Sequence, residues 1–213
     1  MATTASGERL RFPEHEARHP WLAGLLRAYH ISDTAVRANL ERETARRGAP
    51  PACRAGCHVC CVGLYVPVSD FEVLGLWWYC AEIMPEATQR LVRVNLLVQE
   101  ITPACPFLVD GGCAVYPLRP FVCRQHYVFG AACRPGENLC QDRPGDVVRA
   151  GEGASRDIAW EILPLYGTAP EDIDHRFENG YVGRKVKDLH SLPLGNIVEH
   201  MDAVARRRLA DHA

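Results

Sequence analysis

The chain has 213 residues with 24 Lys and Arg against 26 Asp and Glu, so its formal net charge is −2. That balance excludes a general electrostatic attraction to nucleic acid or to an anionic membrane. Hydrophobic residues make up 47% of the chain, as in ordinary globular proteins, and the length is enough for one domain with its own core.

Ten cysteines are the unusual feature of this composition. Residues 1–11 lack the apolar segment of a secretory signal, and no apolar run is long enough to cross a bilayer. We therefore expect a cytoplasmic protein whose thiols stay reduced. Clustered cysteines in such a compartment favour metal or redox chemistry over disulfides.

The first half of the chain predicts helices on both sides of a short cysteine-rich segment. Apolar residues at helical spacing predict a helix over residues 16–47, which Gly48 ends. Ser69 and Glu72 have the spacing of a capping box, in which their side chains satisfy free backbone N–H groups. A helix should therefore run from there to about Met84.

Further helices are predicted after that point, with an interruption. A helix near 86–101 has apolar residues at helical spacing. Those residues are Leu91, Val94, Leu97, Val98 and Ile101. Residues 103–153 are rich in Gly, Pro and Cys and show little periodicity, which is typical of loops organised by a metal. Helical patterns return near 155–166, shortly after Thr168, and near 195–210.

We predict a mainly α protein in which helices flank an irregular, cysteine-rich metal-binding centre. The predicted organisation has three parts. Residues 1–15 form an N-terminal segment, residues 16–145 a cysteine-cluster metal-binding domain, and residues 146–213 a C-terminal helical extension packed on that same domain.

The first cysteine block occupies residues 53–61 and has the pattern C-x3-C-x2-C-C. Cys57 and Cys60 have the spacing that lets two sulfurs reach one ion, each about 2.3 Å from zinc. Gly56 permits a tight backbone approach or a positive φ beside them. Cys61 is adjacent to Cys60, and neighbouring side chains usually point apart, which suggests a polynuclear cluster or two nearby ions.

The second cysteine block is spread over residues 105–133. Cys105 begins the segment Cys-Pro-Phe-Leu, and Cys113 follows a Gly-Gly pair that predicts a tight turn. Cys123 and Cys133 complete the block. Free cysteines often pack as small hydrophobes, but eight of them, most beside Gly, Pro or Arg, favour ligation. Neither block alone looks like a complete set for two sites, so we expect the two blocks to meet in the fold.

The combined motifs resemble the bacterial YkgJ-type cysteine-cluster family over about residues 20–140. The pattern C-x3-C-x2-C-C is followed by Cys-Pro-Phe-Leu and by Gly-x-Cys-x-Val-Tyr-Pro-Leu-Arg-Pro-x-x-Cys-Arg. The family is described as chelating zinc or iron through a CxxCxxCC signature. The resemblance implies metal ligation by Cys53, Cys57, Cys60, Cys61, Cys105, Cys113, Cys123 and Cys133. It also places Asp70 where the family tends to have an acid.

Several neighbours of these cysteines allow more than one interpretation. Cys80 follows two tryptophans in a predicted helix, and we interpret it as a core residue. Cys140 is either a ninth ligand or a spare thiol. His126 follows Cys123 by three residues, so both could reach one ion, although such a histidine is more often a hydrogen-bonded neighbour. Arg119 is the arginine that we expect to offset thiolate charge.

Three hypotheses for function follow from the sequence. The first is a protein that binds zinc, iron or an iron–sulfur cluster and acts in redox chemistry, metal handling or sensing. The second is a metal-dependent modifying enzyme, since some flagellin lysine methylases are similar around the cysteine motif. The chain has no nucleotide-binding glycine loop and no Ser/His/Asp arrangement. The third is a zinc-stapled interaction module whose terminal helices bind a protein partner.

Overall fold

The structure, a computed structural model, describes residues 7–54, 56–149 and 151–211. It is mainly α-helical, as predicted. The helices are α1 (Pro13–Arg18), α2 (Pro20–Arg47), α3 (Asp70–Trp78), α4 (Glu86–Leu97), α5 (Phe121–Gln125), α6 (Leu139–Asp142), α7 (Glu152–Ile162), α8 (Ile173–Glu178) and α9 (Gly195–Asp211).

Three short antiparallel strand pairs are present in the described residues, and they range from a tight hairpin to a pairing between distant segments. Strand β1 (Pro67–Val68) pairs with β6 (Lys187–Asp188), β2 (Leu108–Val109) with β3 (Gly112–Cys113), and β4 (Tyr127–Val128) with β5 (Val147–Val148). Each pair is only two residues long, so these strands hold loops together by hydrogen bonds and are too short to form a sheet that could support a core.

The predicted helix over 16–47 is two helices. The chain leaves helical geometry at His19, where φ is −130° and ψ is 83°, and Pro20 then begins α2. Proline is well placed at the first position of a helix, because it has no N–H to donate. Gly48 ends α2 with φ of 65°, as the sequence predicts.

The capping box predicted at Ser69 is present. The Glu72 N–H donates to the Ser69 hydroxyl oxygen at 3.4 Å, and the Ser69 N–H donates to the Glu72 carboxylate at 2.7 Å. Helix α3 continues into a wider π-helical turn over Tyr79–Ile83 and stops at Met84, where the sequence pattern places its end.

The apolar residues that mark α4 face solvent. The helix buries Val92 and Leu96, while Ile101, in the turn beyond its end, is 85% exposed. Leu91, Val94, Leu97 and Val98 are exposed as well. Arg93 pairs with Asp202 of α9, which fixes the orientation of α4 on that helix. Tertiary contact with α9 therefore decides which face of α4 is buried.

Two large apolar cores support the cysteine-rich centre. The first joins α3 and its π-helical turn to α9 and includes Cys80, Phe107 and Met201. The second joins α2 to Trp78, Leu118 and Ile162. The centre is thus held between helices that precede it and helices that follow it.

The C-terminal extension contacts the N-terminal helices directly. A Cβ added at Gly24 of α2 would lie 3.1 Å from a methyl carbon of Leu165 and 3.3 Å from the carbonyl oxygen of Glu161. The Arg27 guanidinium also pairs with the Glu161 carboxylate at 2.8 Å. The absence of a side chain at Gly24 lets the two segments approach closely. The division of the chain at residues 15 and 145 stays a prediction.

Candidate metal centre

The first cysteine block folds into two tight turns. The Cys57 N–H donates to the carbonyl of Arg54 at 3.0 Å, and the Cys61 N–H donates to the carbonyl of His58 at 2.9 Å. Gly56 has a φ of 76°, the left-handed conformation that the sequence allows for. These turns keep the thiols of the block within a short stretch of backbone.

The two cysteine blocks are neighbours, as predicted. The Cys105 N–H donates to the carbonyl of Cys61 at 2.7 Å, and the Gly63 N–H donates to the carbonyl of Pro103 at 2.9 Å. These bonds form a local antiparallel bridge between the segment after the first block and the start of the second. The second block therefore begins directly against Cys61.

Cys53 is tied to a different part of the second block. The Ala52 N–H donates to the carbonyl of Val128 at 2.7 Å, and the Val128 N–H donates to the Cys53 sulfur at 3.4 Å. Strand β4, which contains Val128, leads into the loop that holds Cys133. An N–H donor beside a sulfur favours the thiolate, the form that binds metal.

The remaining cysteines of the second block lie on a hairpin and a short helix. Cys113 is opposite Leu108 in the β2–β3 hairpin. The turn of this hairpin is Asp110-Gly111, with φ of 49° and 73°, one residue earlier than the Gly-Gly pair suggests. Two positive φ angles match the twist of a two-residue hairpin. Cys123 is on α5.

The cysteine thiols influence one another across the two blocks. Burial is the main cause that raises the pKa of Cys53, and the charges of Cys133, Cys57 and Cys60 raise it further. Burial also raises the pKa of Cys105 to about 12, with Cys113 and Cys60 adding to the effect.

Cys60 affects two groups of thiols. One group contains Cys53 and Cys133, and the other contains Cys105 and Cys123. The pKa of Cys60 is raised first by a hydrogen bond with Cys61 and then by burial. The charge of Cys60 in turn raises the pKa of Cys133 in one group and that of Cys123 in the other. Such thiols stay protonated until a cation compensates their charge, so metal binding releases protons.

The thiols are near each other without yet converging on a point. Among residues 7–54, 56–149 and 151–211, no three His, Cys, Asp or Glu side chains stand in the arrangement of a metal site. All ten cysteines, which lie within those ranges, are free thiols. The donor set fits zinc or iron in kind, and its side chains have to turn toward the ion to hold it.

Two arginines supply positive charge to the centre. Arg119, the expected candidate, donates to the Tyr127 hydroxyl at 3.1 Å, and its guanidinium carbon lies 4.3 Å from the centre of the Tyr116 ring. Its charge lowers the pKa of Cys60 and Cys113, against the stronger effect of burial.

Arg124 is the second of these arginines, and its fixed position was not foreseen. It is 5% exposed, donates to the Asp33 carboxylate at 2.6 Å, and lies over the Tyr29 ring with its guanidinium carbon 3.9 Å from the centre. Its charge also lowers the pKa of Cys113. The guanidinium is therefore held rigidly close to the thiols.

Glu72 is a structural residue of the centre that sequence reasoning assigned only to a helix cap. Its carboxylate is 3% exposed. One oxygen accepts from the Ser69 N–H and hydroxyl, and the other accepts from the Phe121 N–H at 2.7 Å. Burial raises the pKa of Glu72. The carboxylate joins the start of α3 to the start of α5, the helix that carries Cys123.

The other candidate ligands have distinct environments. His126 is half-buried, and its Nε2 is buried without a hydrogen-bond partner in the described part of the chain. Cys140 is exposed and its sulfur lies 2.8 Å from a guanidinium nitrogen of Arg149. Asp70 is exposed at the first position of α3.

A cavity of about 630 Å³ lies beside the centre. Its lining includes Cys60, Cys123 and His126 from the cysteine-rich centre, together with Ile158 of α7 and Phe177 of α8. The volume lies within the usual range for sites that bind small molecules, about 300–1,000 Å³. No feature of the sequence alone indicates this cavity, because its lining residues come from segments that are far apart in the sequence.

A family model matches the cysteine-rich part of the chain. Residues 52–142 match the model of the CxxCxxCC family. Its description is "Putative zinc- or iron-chelating domain". The match contains all eight predicted ligands and supports metal binding. It begins at residue 52, whereas the motifs suggested a resemblance from about residue 20, so both N-terminal helices, α1 and α2, lie outside it.

The other comparisons bring nothing further. No curated protein and no solved structure matches the chain. Among the helices of the described residues, none has the length and apolar character needed to cross a membrane.

Cys80 belongs to the apolar core that joins α3 to α9 and is fully buried. Burial raises its pKa to about 12. We expect Cys80→Ala to leave the metal content unchanged and to lower the free energy of unfolding by about 1 kcal/mol, the cost of a small cavity. Elemental analysis and urea unfolding check the two parts. Loss of metal from this variant would instead make Cys80 a ligand.

Proposed function

We propose that this chain chelates zinc or iron, the latter with the option of an iron–sulfur cluster, through its eight clustered cysteines. The observation that carries the proposal is the contact between the two cysteine blocks, where the Cys105 N–H donates to the carbonyl of Cys61 at 2.7 Å. This contact supports a centre to which two distant segments contribute thiols. Thiolate sulfurs are preferred ligands of zinc and of iron–sulfur clusters.

The electrostatic coupling of the thiols supports a division into two sets. Cys53, Cys57 and Cys133 form one set, and Cys105, Cys113 and Cys123 form the other. Cys60 influences both sets and is hydrogen-bonded to Cys61. We propose that these two adjacent cysteines supply one ligand to each set. Each set then has the four thiolates of a closed tetrahedral site.

The charge of such a centre requires compensation. Four thiolates around a divalent ion carry a net charge of about −2. Arg119 and Arg124 lie where their charges lower cysteine pKa values, so they stabilise the thiolate forms. Closed four-thiolate sites leave no open position for substrate, which suits structural, electron-transfer or metal-handling roles better than Lewis-acid catalysis.

The direct test is elemental analysis with a visible spectrum on protein purified without air. An iron–sulfur cluster gives brown protein with broad visible absorption, whereas zinc protein is colourless. We expect zinc or iron in stoichiometric amount. Protein that contains neither metal, and takes up neither when they are supplied anaerobically, would overturn the proposal.

Paired substitutions test the two sets. We expect Cys53→Ser with Cys133→Ser to remove about half of the bound metal, and Cys105→Ser with Cys113→Ser to remove the other half. Metal content per chain is the measurement. Cys140→Ser is the matched control, because Cys140 is an exposed thiol of the same domain, and its metal content should equal that of the wild type. Complete loss of metal from either pair would indicate one shared cluster.

The cavity favours a second candidate, a metal-dependent modifying enzyme. Cys60 and Cys123 are in the wall of a space large enough for a small molecule, so a bound metal would lie beside a bound ligand. An enzyme of this kind needs an open coordination position. Cobalt substitution followed by addition of cyanide tests for one: a changed absorption spectrum indicates an exchangeable ligand, and an unchanged spectrum excludes this candidate.

A further inference from the structure

The C-terminal extension contributes one side of the cavity beside the cysteine centre. Ser155, Ile158 and Phe177 line it from α7 and α8, and Val182 and Val186 line it from the segment that follows. All of these residues lie outside the matched range 52–142. The extension therefore adds to the CxxCxxCC domain a feature that the domain cannot form by itself, a lined space next to its thiols.

The interior of this cavity is mostly apolar. Val66, Phe121 and Val122 line it from the part of the chain that carries the cysteines, and Ile158 and Phe177 line it from the C-terminal extension. Pockets with such a lining bind ligands mainly by removing apolar surface from water. The occupant should therefore have an apolar body.

Charge is distributed unevenly along the cavity. Glu72 in the lining is buried, and its oxygens already accept from three donors. Arg149, which also lines the cavity, is exposed. Its guanidinium donates to the Cys140 sulfur at 2.8 Å and, among the residues that the structure describes, pairs with no carboxylate. An anionic group is therefore repelled by Glu72 and attracted to Arg149.

We propose that this cavity binds a small apolar carboxylate, with its apolar chain between α5 and α7 and its carboxylate on Arg149. Arginine binds carboxylates through two parallel N–H donors, which gives both affinity and orientation. The apolar end of the ligand then lies beside Cys60 and Cys123. The inference rests on the proposed function only in placing a metal next to that end.

The test uses decanoate and decan-1-ol as probes, titrated calorimetrically into the metal-loaded full chain. The two probes have the same apolar chain and differ at the polar end. We expect decanoate to bind more tightly than decanol. Arg149→Gln should weaken decanoate binding by about tenfold or more and leave decanol unchanged. Arg90→Gln, which removes an exposed arginine of α4 whose guanidinium pairs with Glu86, should change neither.

A second variant tests the location. Val186 is half-buried and belongs to none of the apolar cores, so Val186→Trp fills the cavity from its edge. We expect Val186→Trp to abolish binding of both probes and to leave the circular dichroism spectrum unchanged. If Val186→Trp fails to fold, Ser155→Phe fills the same cavity and serves the same purpose. Equal binding of the two probes, or decanoate binding that survives Arg149→Gln or the filling variants, would overturn the proposal.

Metal content is measured on the same samples. Decanoate binding with the expected pattern in protein that holds no metal refutes the proposed function and leaves the cavity assignment intact. Metal-loaded protein that binds no decanoate refutes the cavity assignment alone.

Discussion

Replacing both Cys60 and Cys61 with serine will remove most of the bound metal and leave helical circular dichroism largely intact. Cys60 is the thiol whose charge affects both sets, and Cys61 is its immediate neighbour, so the pair affects every proposed ligand group. A serine hydroxyl has nearly the shape of a thiol but does not ionise near neutral pH. The helices persist because α2, α3 and α9 have their own buried apolar contacts.

The same double variant should become sensitive to protease in a defined place. Residues 103–153 show little periodicity in the sequence, but Phe107, Leu118 and Phe129 are fully buried there and anchor parts of that segment. Residues 130–138 have no buried residue. Their ordering costs about 1–2 kcal/mol per residue, whereas a structural zinc site supplies about 10–16 kcal/mol of apparent binding energy. The first cuts should therefore fall within residues 130–138.

Metal analysis and mapping of the first cleavage sites by mass spectrometry check both parts. Cys140→Ser is the control, since it removes an exposed thiol close to the same loop. A soluble double variant with wild-type metal content would mean that Cys60 and Cys61 only fill space. Cleavage spread evenly over the chain would mean that the metal holds the whole fold.

The features that sequence reasoning predicted well depend on local interactions. The capping box at Ser69 and the end of α2 at Gly48 involve residues within four positions of each other. The burial of Cys80 follows from its position in an apolar helix. In each case the physical cause lies within one helical turn, so the pattern of residues contains it.

The features that sequence reasoning missed depend on contacts between distant segments. The exposed face of α4 is determined by the position of α9. The hydrogen bond from Phe121 to Glu72 spans 49 positions, and the pairing of Arg124 with Asp33 spans 91. The cavity requires α7 and α8 to fold over α5. No periodicity or local motif indicates these pairings, because they exist only once the helices have packed.

Glu72→Ala will destabilise the protein and weaken its metal binding together. The substitution leaves three donors in a buried place without an acceptor: the Phe121 N–H, the Ser69 N–H and the Ser69 hydroxyl. An unsatisfied buried donor costs about 1–3 kcal/mol, and some of these regain water through the adjacent cavity, so we expect a loss of about 3 kcal/mol. Metal affinity falls because α5, which carries Cys123, loses its connection to α3.

Asp70→Ala is the matched control, because Asp70 is an exposed carboxylate two residues earlier on the same helix. It contributes only a favourable interaction with the helix N-terminus, so its removal should cost less than about 1 kcal/mol and leave metal binding unchanged. The losses of stability and of metal affinity caused by Glu72→Gln should lie between those caused by Glu72→Ala and Asp70→Ala, since an amide keeps one acceptor oxygen and loses the other. Urea unfolding and competition with a zinc-binding chelator measure the two quantities. A larger loss of metal affinity for Asp70→Ala than for Glu72→Ala would show that the acid indicated by the family resemblance, and not the buried one, supports the centre.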